Sequence, residues 1–168
     1  MMFSTKAEYG VRVMVELARR TDGECGQPVP LAEIAAHDGL PLAYLEHLVA
    51  RLHKAGLVDS RRGSRGGYLL ARPAAQITMA EVVEALEGSI APIECISEAA
   101  DGSLVCARES SGTDPAHPSP ACPTKLLWTR VRFSIVNTLR ETTLADLLIA
   151  PAIPSPPTLQ IEPLTTGA

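Results

Sequence analysis

At 168 residues the chain has room for one compact domain with appendages, and its 46% apolar content with only 4% aromatics implies a core of Leu, Val, Ile and Ala. No stretch approaches the ~20 apolar residues of a membrane span, and MMFSTKAEYG at the start lacks the apolar run of a secretory signal, so a cytoplasmic protein with no membrane partner is expected. The net charge of −4 excludes a protein that is basic throughout, and four cysteines in a reducing compartment favour metal or redox chemistry over structural disulfides.

A first helix is expected from about Lys6 to Arg20, with Tyr9, Val13, Met14 and Leu17 on one face. Thr5-x-x-Glu8 has the form of a capping box at its start. The loop TDGECGQPVP follows and carries Cys25, expected as a surface thiol. LAEIAAHDGL gives a short helix with Leu31, Ile34 and Ala35 on one side, closed by Asp38-Gly39. PLAYLEHLVARLHKAG starts another, with Pro41 in the first turn, where a missing N–H costs nothing, and Gly56 at the end. Its expected buried stripe is Leu42, Leu45, Val49 and Leu52, which leaves Ala43, Tyr44, Glu46, His47, Arg51 and Lys54 facing outward. Two helices joined by a tight glycine turn form a helix-turn-helix, whose second helix can lie in a major groove.

LVDSRRGSRGGYLLAR comes next, with two short apolar arms around a Gly-rich turn that holds Arg61, Arg62 and Arg65. It reads as a wing hairpin. Residues 51–72 carry six Lys/Arg against one acid, Asp59, within an acidic chain. On its own such a run reads as a solvated hairpin. Beside a helix-turn-helix it is a patch directed at a polyanion, double-stranded DNA.

Thr78-x-x-Glu81 caps a further helix with Val82, Val83 and Leu86 inward and Gly88 at its end. From Ser89 to Ala121 the chain is rich in Ser, Ala, Gly and Pro without clear periodicity, a segment either disordered or held for a purpose. Pro123 opens a last long helix with Trp128, Val131, Ile135 and Leu139 in one stripe, widened by Leu127 and Val136. Such a helix suits the interface of a homodimer that reads two half-sites. Leu144 to Ile149 reads as a short closing helix, and the tail from Pro151 has five prolines and is expected to be disordered.

Cys95, Cys106 and Cys122 are separated by ten and fifteen residues, with none of the close pairs that announce a zinc site. Three thiolates on a long pliable segment suit an iron–sulfur cluster; they also fit three unrelated thiols. Cys122 stands where the last helix begins, so the helix dipole should favour its thiolate. No nucleophile–base pair and no phosphate loop occurs, so an enzyme is not expected.

PVPLAEIA, then LPLAYLEHLVARLHKAGLV, RGSRGGYLL and ITMAEVVEALEGSIAPIEC together resemble the Rrf2 family, in particular its iron–sulfur branch of IscR, NsrR and RirA regulators. The similarity covers about residues 2–150. It implies a mainly α fold: a winged helix-turn-helix DNA-binding domain at 1–88, a cluster-binding loop at 89–121, dimerisation helices at 122–150 and a tail at 151–168. By position, Cys95, Cys106 and Cys122 would hold a 2Fe–2S or 4Fe–4S cluster. The IscR histidine that follows the last cysteine is here Lys125, a poor cluster ligand. NsrR-type proteins use an acidic residue in the partner's first helix, and Glu8 matches its place. Its competing role is the capping box, and His117 and Asp114 are weaker candidates. On DNA, Glu46 and His47 should face base edges, with Tyr44 beside them on the recognition helix. Arg62 enters from the wing with Arg61, while Arg51 and Arg65 hold phosphates. The alternative is a cluster-free member controlled by thiol oxidation or by binding a partner protein.

Overall fold

In a computed structural model, residues 3–21, 26–63, 65–91, 93, 95–98, 104–106 and 122–149 are described. Three helices, α1 (Thr5–Arg20), α2 (Leu31–Asp38) and α3 (Leu42–Lys54), precede a hairpin of β1 (Val58–Arg61) and β2 (Gly67–Leu70). A single 3-10 turn, Ala74–Gln76, leads into α4 (Met79–Glu87). A second hairpin pairs β3 (Ile96–Glu98) with β4 (Leu104–Cys106), and α5 (Lys125–Glu141) is the longest helix among the described residues. The fold is mainly helical, as the periodicity requires.

One core serves the first four helices and the first hairpin. Val13, Met14 and Leu17 of α1 meet Ile34 of α2, Leu45 and Leu52 of α3, Leu70 of β2 and Leu86 of α4. Gly39 closes α2 at φ 66, a left-handed conformation that a side chain resists, and so sets the turn into α3. Both hydrogen bonds of the Thr78/Glu81 capping box at α4 are present.

Four details differ from the sequence expectations. Ser4, not Thr5, caps α1: its hydroxyl accepts from the Lys6 amide, and Thr5 is already helical. Ser4 is fixed there because its amide and hydroxyl both donate to the Glu87 carboxylate of α4. Glu8 therefore forms no capping box and pairs instead with Arg12 at 2.7 Å. In α3, Leu48 is buried, whereas Leu42 is 40% exposed. Both satisfy the spacing around Leu45, but the buried face runs through Leu45, Leu48, Val49 and Leu52.

The third difference is β3–β4, a hairpin inside a segment that shows no period in the sequence. The fourth is Leu144–Ile149, which forms turns and not a helix. Its amides are used elsewhere: Leu144 donates to the Ile77 carbonyl and Ala145 to that of Ala74. These bonds dock the segment on the core and take the donors that a helix start would leave available.

The stripe expected on α5 is divided. Ile135 and Leu139 are half-buried with Val136 against Val83 and Ile90, so this part of the helix packs on its own chain. Leu126, Leu127 and Phe133 are the large apolar side chains that α5 leaves exposed.

Thr78→Ala should cost about 1 kcal/mol, a normal N-cap loss. Partial burial works to raise the Glu81 pKa, but the Arg72 guanidinium and the Thr78 amide and hydroxyl outweigh it and hold the carboxyl below the usual glutamate range. A lowered folded-state pKa gives stability that is present above the unfolded value and lost as pH falls through the folded one. Glu81→Gln should therefore melt below wild type at neutral pH, and the two should converge in acid. A constant offset at every pH would show that the charge contributes nothing.

Candidate DNA-reading face and thiolate site

The helix-turn-helix turns one side of α3 outward. Glu46, His47, Arg51 and Lys54 are exposed, as expected. Tyr44 is half-buried, with its ring edge-on to Tyr9 at 5.9 Å, so it also holds α3 against α1. Lys6 joins Tyr44, His47, Arg51 and Lys54 along one open groove. The sequence gives no signal for Lys6, because only the packing of α1 on α3 brings it there. Arg51 Nη1 donates to the Leu86 carbonyl at 2.9 Å, which ties the recognition helix to the end of α4.

The wing keeps Arg61, Arg62 and Arg65 exposed. Its strands pair from Val58 opposite Leu70 to Arg61 opposite Gly67. Val29 bridges to Tyr68 through two hydrogen bonds, at 2.8 and 2.9 Å, and fastens the wing beside the helix-turn-helix. That approach requires Gly67, since a Cβ there would lie 2.4 Å from the Val29 carbonyl. Arg72 leaves the basic patch and pairs with Glu81 at 2.7 Å.

Cys95 directly precedes β3, Cys106 ends β4, and Cys122 lies three residues before α5. The β3–β4 register sets Cys106 opposite Ile96, the neighbour of Cys95. The Cys122 thiol is within hydrogen-bonding reach of Cys106. Cys106 is buried and the other two are half-buried. The Thr124 hydroxyl, 3.4 Å from Cys122 Sγ, is the main influence holding the Cys122 pKa below that of an ordinary thiol. The Thr124 amide adds to it, and partial burial only partly opposes it. Thr124 stands at the N-cap position of α5, without a side-chain cap bond, and Lys125 is the first helical residue, so the donors at a helix start favour this thiolate.

Glu8 is exposed on α1 and lines an apolar pocket of about 420 Å³ with Phe3, Val11, Val83 and Leu139. Within one chain it does not group with the thiols. Among the described residues, the candidate ligands whose atoms all lie within 4.8 Å of one another are Glu16, His37 and Asp38. Cys25, Asp114 and His117 lie outside the described residues, as does the 151–168 tail. Among the described residues, no helix is long and apolar enough to cross a membrane.

Residues 3–150 match the family model of Rrf2, described as an iron-dependent transcriptional regulator. The chain belongs to the Rrf2 family. It is 37% identical over 147 residues to the HTH-type transcriptional regulator CymR of Bacillus subtilis, covering 88% of this chain and 89% of that one. The solved structure of CymR, the global cysteine regulator of B. subtilis, superposes with a TM-score of 0.65 at 34% identity, over 88% of this chain and 96% of that one. The structure of T. potens IscR gives 0.63 at 36% identity, over 88% and 86%. Regulators of this family bind DNA and typically act as dimers, and they are not enzymes. This chain is a transcriptional regulator of the Rrf2 family.

Proposed function

We propose that this Rrf2 regulator is a homodimer whose operator affinity is set by an iron–sulfur cluster held by Cys95, Cys106 and Cys122. The observation that carries this reading is the approach of Cys106, at the end of β4, to Cys122, just before α5, with Cys95 directly preceding the strand that pairs with Cys106. The donor set fits the group. Thiolates are the usual ligands of such clusters, and the Thr124 hydroxyl and amide favour the ionised form of Cys122. When bound, such a cluster supplies iron that reacts with oxygen or nitric oxide.

The fourth ligand is proposed to be Glu8 of the partner chain. Lys125 cannot serve, and Glu8 is exposed at the rim of an apolar pocket that a second subunit can cover. Leu126, Leu127 and Phe133, exposed on α5 just after Cys122, are the apolar surface for that contact. Cluster gain or loss would then change how the two recognition helices are held, and so the binding of two states to one operator.

On the operator, Glu46 and His47 read base edges, Arg62 enters from the wing with Arg61, and Arg51 and Arg65 hold phosphates. If Arg62 reads a guanine, Arg62→Ala should lose about 1–3 kcal/mol on a duplex selected by the protein. On random duplex the loss should be small. Equal losses on both would reduce Arg62 to a phosphate contact. The reading as a whole is tested by titrating that duplex with anaerobic protein before and after cluster removal, where unchanged affinity contradicts it.

A second reading rests on the proximity of the Cys106 and Cys122 thiols. Without a cluster, a peroxide-class oxidant could take two electrons and two protons from the pair, leaving one disulfide. That would make the chain a thiol-controlled regulator, and protein purified without oxygen would then be colourless.

A further inference from the structure

We propose that Glu16, His37 and Asp38 form a binding site for a divalent transition cation of the zinc class, which locks α1 to the helix-turn-helix. One ligand atom from each residue lies within 4.8 Å of the other two. Glu16 comes from the middle of α1, while His37 and Asp38 end α2 immediately before Gly39. His37 Nδ1 stands 3.0 Å from Asp38 Oδ1 and 3.7 Å from Glu16 Oε2.

Two observations indicate that this group is incomplete without a ligand. Asp38 Oδ2 is buried and has no hydrogen-bond partner among the described residues, a costly state for a carboxylate oxygen. The Glu16 side chain is only 9% exposed, and its compensation is loose. Arg19 stands at 3.4 Å and Arg20 at 3.6 Å, and Arg20 makes its closer contact, 2.9 Å, with Glu33. Arg19 and Arg20 thus pair with Glu16 and Glu33, and Asp38 contacts His37 at 3.0 Å. A cation bound by Glu16, His37 and Asp38 would balance the remaining charge and use the lone pairs that the arginines leave.

The donor chemistry selects the class. One imidazole with two carboxylates suits zinc and its neighbours, whereas magnesium favours oxygen and water alone. A cleft of about 260 Å³, walled by Val11, Arg12, Val15 and Arg19, opens onto the three ligands and gives access. Arg19, with a largely exposed side chain, can swing aside as the cation enters. Because the ligands on α2 directly precede the Gly39 turn, a bound cation fixes the direction in which α3 leaves it. Metal occupancy would therefore stiffen the DNA-reading unit independently of the cysteines.

Zinc titration by calorimetry and melting tests this in the full chain with Cys95, Cys106 and Cys122 all replaced by serine, so that thiolates do not compete. The parent should bind one zinc ion per chain and melt several degrees higher in its presence. His37→Ala, a change at an exposed side chain, should weaken binding at least about tenfold and abolish the shift. Asp38→Asn should do the same with little change of shape. Should the serine background not fold, the wild-type chain should take up one more zinc ion than wild type bearing His37→Ala. Equal zinc uptake with and without His37 would overturn the proposal, as would a parent that melts unchanged in zinc.

Discussion

Cys106→Ala should yield a colourless protein with no stoichiometric iron, even when purified without oxygen. Cys106 is the most enclosed of the three thiols, at 1% exposure, and its thiol approaches that of Cys122. Two thiolates and one carboxylate are too few to hold an iron–sulfur cluster, since most such sites use four protein ligands. The lost side chain is small, so the stability cost should be about 1 kcal/mol and the variant should remain folded. Operator affinity should then equal that of cluster-stripped wild type. Glu8→Gln should act differently, keeping a cluster whose spectrum is altered and whose lifetime in air is shorter. Carboxylate is a harder partner for iron than thiolate and is the ligand most easily lost. A Cys106→Ala protein that keeps full iron and colour would remove Cys106 from the ligand set and contradict the three-thiol site.

Phe133→Glu should convert the dimer to a monomer while leaving each chain folded. In the single chain Phe133 is 65% exposed, and a charge at such a position changes stability by about 0.5 kcal/mol or less. Between subunits the same charge would be buried without a partner, at a cost of several kcal/mol. The monomer should also lose most operator affinity, because two half-sites no longer bind as one unit. Ile135→Glu makes the contrast. Ile135 packs on the cluster of Val83, Ile90 and Val136 in its own chain, so this change should lower the melting temperature as well. Sedimentation and melting of both variants separate the two roles. A Phe133→Glu protein that sediments as a dimer places the interface on another face.

Helices α1 to α4 and the wing were legible in the sequence because each carries a local signal with a physical cause. Gly39 alone fits the left-handed turn, Pro41 opens α3, and Thr78 with Glu81 caps α4. The errors fall where local signals compete or end. Ser4 and Thr5 are both good caps, and what chooses Ser4 is Glu87, a residue 83 positions away. Leu42 and Leu48 fit the same spacing, so only tertiary contact decides between them. The strands β3 and β4 have three residues each, too short for alternation to show. Periodicity found a face on α5 but could not say which body covers it. Val83 and Ile90 take one part of it, and Leu126, Leu127 and Phe133 are left outward.

Of the proposed site, the sequence offers three cysteines as candidate ligands but no constellation. Spacings of ten and fifteen residues carry no geometry until the hairpin sets Cys106 opposite Ile96 and the start of α5 brings Cys122 to Cys106. Lys6 on the DNA-reading groove and the Glu16, His37 and Asp38 group gave no sequence signal, since each depends on how α1 packs against the helix-turn-helix.

The central claim, that the three thiols hold a cluster, is tested most directly by counting iron and acid-labile sulfide per chain in protein purified without oxygen, with its visible spectrum recorded on the same sample. The expected result is a coloured protein with about two or four irons per chain and an equal amount of sulfide. A colourless protein with neither iron nor sulfide, yet dimeric and bound to its operator, would contradict it.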